Sequence, residues 1–143
     1  MPTIPEELRS YNIRERAVLL DLDFSFPGDK CITPKWIIIL SDNLIEGEII
    51  FTLTTSQAET YSASFRQHLS INKDDETCFE KNTIIEIERT HPADVGKLLD
   101  KCRNKRIKHK GYISKQLLKR IYDEIAECPT IYEYIKQGLG VYD

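Results

Sequence analysis

The sequence predicts a mainly β domain finished by helices, an α+β chain whose small antiparallel sheet of five to seven strands precedes its helical part. Three observations carry this. Apolar runs are short, four to six residues at most, and rich in Ile, Leu, Val and Phe, as in "RAVLLDLDFSF", "KWIIIL" and "EIIFTLTT". Turn chemistry separates them: Pro27-Gly28-Asp29 and Gly47. From His91 onward the apolar spacing becomes helical, as in "KQLLKRIYDEIAE". A length of 143 residues fits one domain. Its expected parts are an N-terminal arm or short helix (1–16), a barrel-like sheet (17–90) and a helical part (91–143).

Taken in order, "PEELRSYN" is a short helix or an arm laid on the body, with Pro5 near its start and acids in the first turn. "RAVLLDLDFSF" is the first strand, with Leu20, Leu22 and Phe24 alternating. A loop of about eight residues, "PGDKCITP", leads to "PKWIIILSDN". There Ile37 to Leu40 form a buried strand that begins at a lysine and ends in Ser-Asp-Asn. "EIIFTLTTSQ" is the third strand. Phe65, Gln67, Leu69 and Ile71 share a face in the fourth, and "NTIIEIERT" alternates as the fifth. "NKDDETC" between them is a loop whose carboxylates, Asp74, Asp75 and Glu76, are expected to be solvated.

Pro92 is placed for the first turn of a helix carrying Val95, Leu98, Leu99 and Cys102. Ser114 is the expected N-cap of the next helix, with Leu117, Leu118, Ile121, Tyr122 and Ile125 in one stripe. Pro129 stops it, and Thr130 is the expected cap of a last short one.

Composition excludes several function classes. No run approaches the roughly 20 apolar residues that span a bilayer, and "MPTIPEELRS" lacks a basic region followed by an apolar stretch. The expectation is a cytoplasmic protein without membrane contact. Cys31, Cys78, Cys102 and Cys128 form no C-x-x-C pair and read as free thiols. His68, His91 and His109 are scattered, so no metal site and no cofactor is expected. The sequence holds no phosphate loop, dinucleotide fingerprint, H-E-x-x-H or G-x-S-x-G.

The net charge of −3 hides an asymmetry. Lys97 to Arg120 holds ten Lys or Arg against one Asp, roughly +9 locally. This segment is either a solvated basic face or an electrostatic footprint for an anionic partner.

In a hairpin of the second and third strands, Lys35 at one strand's start lies near the other's end, at Thr54, Thr55 and Ser56. A cation beside hydroxyls and the Gln57 amide suits a phosphodiester, since the cation neutralises charge and the hydroxyls orient its oxygens.

The ordered pieces "LLDLDF", "PKWIIILS", "LTTSQ", "IEIERT" and "GYIS" resemble the PemK/MazF family of type II toxin–antitoxin systems over about residues 17–127. The resemblance implies an SH3-like barrel, a homodimer, a cognate antitoxin protein and metal-independent cleavage of single-stranded RNA. Lys35 takes the position of the family's catalytic Arg, and Thr55 that of its catalytic Thr. Trp36, Ser56, Gln57, Arg89 and Thr90 fall at substrate-binding positions. Three departures stand out. Lysine lacks the planar fork of arginine, Trp36 replaces a proline, and "RERAV" stands where the family's first strand starts with Gly-Asp. The alternative reading keeps the fold without turnover, as a module binding RNA, an antitoxin peptide or another protein. A gyrase inhibitor of the CcdB kind is more distant.

Overall fold

The computed structural model describes residues 2–26, 30–56 and 67–141. A single helical turn and a half, α1 (Glu6–Ser10), precedes the strands β1 (Ala17–Phe24), β2 (Thr33–Ile39), β3 (Ile49–Thr55), β4 (Leu69–Ile71) and β5 (Thr83–Ala93). Helix α2 (Val95–Arg103), strand β6 (Ile107–Tyr112) and helices α3 (Lys115–Glu127) and α4 (Glu133–Leu139) complete the chain. The strands form a six-stranded sheet in the order β4-β5-β3-β2-β1-β6. Every pairing in it is antiparallel. Its outer strands β4 and β6 do not pair with each other among the described residues.

Alternation along the strands explains why the sheet is buried on both sides. Leu19, Ile37, Ile39, Phe51 and Leu53 join one apolar cluster with Ile4, Leu8 and Ile13 of the arm and Leu98 and Cys102 of α2. Val18, Ile38, Leu40, Ile50 and Ile85 join the other with Leu117, Ile121 and Ile125 of α3 and Ile135 of α4. The run Ile37 to Leu40 therefore feeds both clusters in turn. The arm is tied down by Ile4 N–H to the Asp42 carbonyl at 2.8 Å and Leu44 N–H to the Pro2 carbonyl at 2.9 Å.

Several local expectations change. Pro92 does not open a helix: it lies in β5 opposite Ile50. The helix starts after Asp94, whose carboxylate accepts the Lys97 N–H at 2.9 Å. The segment 91–143 is not all helical, because "IKHKGY" forms the edge strand β6 on β1. An edge strand pairs on one side only, and its lysines keep it from pairing further. Helix α4 follows Tyr132 with no side-chain cap, so Thr130 does not cap it. Glu76 is engaged rather than solvated. Its carboxylate accepts the Ser114 N–H and hydroxyl, both at 2.8 Å, while Ser114 accepts the Leu117 N–H at 3.1 Å as the N-cap of α3.

A bulge in β6 places its lysines. Leu19 pairs with His109 but Val18 pairs with Gly111, which leaves Lys110 as the extra residue. Gly111 has φ +134, a conformation L side chains rarely adopt, and a Cβ there would stand 3.0 Å from Cys78 Cβ. Gly111→Ala should cost about 1–3 kcal/mol. Urea unfolding monitored by circular dichroism reads this as a lower midpoint at unchanged slope, and an unchanged midpoint would show the bulge to be relaxed.

Candidate functional site

The pairing of β2 with β3 sets Ile37 opposite Leu53, Ile38 opposite Thr52 and Ile39 opposite Phe51. Continued toward the start of β2, the same register sets Trp36 opposite Thr54 and Lys35 opposite Thr55. A hydrogen bond holds it there: the Thr54 hydroxyl donates to the Trp36 carbonyl at 3.2 Å. Beyond these strand ends lies a cleft of about 310 Å³. Strand β2 lines it with Lys35 and Trp36, and the end of β3 with Thr54, Thr55 and Ser56. The approach to β5 closes it with Phe79, Glu80, Lys81 and Thr83.

Four of the residues expected at a substrate site, Lys35, Trp36, Thr55 and Ser56, thus border one cleft. Gln57 lies outside the described residues. Alternation puts Lys35 and Thr55 toward the α2 face and Trp36, Thr54 and Ser56 toward the α3 face. Both sets border the opening because it sits at the strand ends.

Arg89 and Thr90 do not line this cleft. The register of β5 on β3 jumps from Leu53–Glu86 to Thr52–Thr90. Residues 87–89 bulge there, and the buried Thr90 hydroxyl donates to the Ile87 carbonyl at 2.8 Å. Arg89 lies over the Phe26 ring at 4.9 Å, with its Nε 3.7 Å from the Glu86 carboxylate. Glu86 is buried, and its second oxygen has no hydrogen-bond partner.

Sequence reasoning missed Glu80 and Lys81, which give the cleft a carboxylate and a further cation. Their only signal was an aromatic residue in a polar loop, "CFEKN". Phe79 is buried, and its ring lies 6.3 Å from that of Trp36. Reasoning from sequence also missed Lys110, whose ammonium stands 5.3 Å over the Trp36 ring.

The basic segment is partly neutralised by acids outside it. Lys101 meets the buried Asp21 at 2.8 Å, while Arg103 and Arg106 form two-bonded pairs with Glu7 and Asp23. The hydrogen bond from Arg106, then burial opposing it, holds the Asp23 carboxyl below its usual range. Among the described residues no three His, Cys, Asp or Glu side chains converge as metal ligands would. No helix among them is long and apolar enough to cross a membrane. No protein-family model matches the chain, and a search of curated proteins finds no match.

His91 gives the neighbourhood a pH dependence. It packs on Phe51, ring to ring at 6.1 Å. Burial, then the Arg89 charge, lowers its pKa below the ordinary 6.5. The folded chain thus prefers the neutral imidazole, and the unfolded chain binds the extra proton. This stabilising contribution is present above about pH 6.5 and is lost as pH falls through the lower folded value. His91→Gln should flatten the decline in melting temperature between about pH 7 and 5. Parallel curves for both proteins would exclude His91 as its source.

Proposed function

We propose that the chain is an endoribonuclease of the PemK/MazF type, acting on single-stranded RNA without a metal and neutralised by a cognate antitoxin. The observation that carries this reading is the meeting of Lys35, Thr55 and Ser56 at one cleft, beside Glu80 and Lys81. The ordered sequence resemblance supports it, as does an antiparallel sheet of the strand number expected for an SH3-like barrel. In this reading the chain works as a homodimer.

The chemistry follows from the groups present. The ribose 2′-oxygen attacks the adjacent phosphorus, and its proton passes to the Glu80 carboxylate. The bond from phosphorus to the 5′-oxygen breaks, and that oxygen takes a proton from the Lys35 ammonium. The products are a 2′,3′-cyclic phosphate and a 5′-hydroxyl. Thr55 and Ser56 donate to the non-bridging oxygens and hold the phosphate in line, while Lys81 balances its growing charge. Proton transfer, positioning and charge all come from side chains at the cleft, and the step calls for no cofactor.

The test is cleavage of mixed single-stranded RNAs in EDTA, with products resolved by their ends. Thr55→Ala should lower the rate about 10²–10³-fold. Lys35→Met should lower it at least as much, and Lys35→Arg should retain activity. Intact RNA from folded wild-type protein overturns the reading. If Lys35→Arg alone cleaves, the wild-type chain is the binding module that the lysine at this position favours as second reading.

A further inference from the structure

Lys110 and Trp36 come from strands at different depths of the sheet, β6 at its edge and β2 near its middle. Their contact is therefore a tertiary arrangement, not a local accident of sequence. Leu20 pairs with Trp36 on one side and with Lys108 on the other. Lys108, Leu20 and Trp36 thus form one row across the sheet on the α3 face, with Lys108 about 10 Å from Trp36. The bulge adds Lys110 to the same surface, its ammonium over the indole. Trp36 is half-buried, its ring lies near Phe79, and its residue borders the cleft. The row ends at the reacting cleft on one side and at an exposed lysine on the other.

The geometry points to a nucleotide subsite at Trp36, with Lys110 as a positioning residue and Lys108 continuing the track. A base of single-stranded RNA stacks on the indole in place of the Lys110 ammonium. The displaced ammonium takes the phosphate next to that base, and Lys108 takes the following one. Aromatic faces accept any base, and each lysine neutralises one phosphate, so the subsite anchors the strand with little sequence preference. This inference rests on the RNA reading of the cleft but concerns binding beside it, which is measurable without cleavage. It also gives part of the basic segment a definite role. Lys101, Arg103 and Arg106 are paired with acids, whereas Lys108 and Lys110 lie along the track.

The chain has one tryptophan, so its fluorescence reports this subsite alone. The probes are four 2′-O-methyl homopolymers, one per base, in which the attacking hydroxyl is blocked. The full-length protein should bind at least one with quenching of Trp36 emission. Lys110→Met should weaken that affinity about 3–10-fold at low salt and reduce the slope of log affinity against log salt by about 0.7. Lys110→Arg should restore it. Lys97→Met, exposed on α2 against the opposite sheet face, serves as the comparison. Circular dichroism checks that each variant is folded, and Lys108→Met repeats the test should Lys110→Met be unfolded. Binding without quenching, equal losses in Lys110→Met and Lys97→Met, or no binding at all overturns the subsite. Quenched binding with intact ribose RNA overturns only the nuclease reading, whereas cleavage without quenched binding overturns only this one.

Discussion

The pairing of β2 with β3 is the constraint on which the rest depends. Ile37 and Ile39 belong to the cluster under the arm and α2, and Ile38 and Leu40 to that under α3 and α4. A slip of one residue would exchange those two sets and move every functional side chain to the other face. Apolar residues on both faces resist such a slip weakly by themselves, since isoleucine fits either side. Polar contacts at the two ends supply the discrimination. At one end the Thr54 hydroxyl binds the Trp36 carbonyl. At the other, Leu40 N–H reaches the Ile50 carbonyl at 3.0 Å, and the Tyr122 hydroxyl of α3 donates to the Leu40 carbonyl. Register, once fixed, decides that Lys35 faces Thr55.

Charge is organised around this frame with unequal weights. The Arg103–Glu7 pair is exposed and screened by solvent, so it contributes little. The Lys101–Asp21 contact matters more because Asp21 is buried beside Lys35's strand and also accepts the Asp23 N–H at 3.0 Å. Removing its partner would strand a buried carboxylate. The contact of Lys110 with Trp36 is of the weak kind, about 0.5–1 kcal/mol when exposed, against about 1–3 kcal/mol for a base stacked on an aromatic ring. In the proposed subsite an incoming base therefore displaces the ammonium from the indole and leaves the lysine for phosphate.

How much of this was legible in the sequence varies with the kind of information each part needs. Ile37 to Leu40 announced a buried strand, and the antiparallel hairpin brought Lys35 and Thr55 to the same end from chain order alone. Alternation and helical stripes located most elements, including α3 with its Ser114 cap. Strand β6 was hidden because "IKHKGY" has apolar residues only at its ends, a pattern that an edge strand paired on one side tolerates. Pro92 misled because a proline fits both a helix's first turn and the last residues of a strand. Glu80 and Lys81 were hidden for a different reason. A loop that folds back over a sheet end has no periodicity, and only its buried Phe79 hints at where it packs. The bulge in β5, which carries Arg89 toward Phe26, has no local signature either.

The central claim is that the β2–β3 register makes Lys35 and Thr55 parts of one site. A double-mutant cycle on RNA cleavage in EDTA tests it most directly, with Lys35→Met, Thr55→Ala and the double variant compared with wild type. If both groups act together on the same scissile phosphodiester, Lys35 at its leaving oxygen and Thr55 at its non-bridging oxygens, the double variant should lose far less than the product of the single losses, by more than about fourfold. Losses that simply multiply would place the two side chains in independent roles and contradict the account.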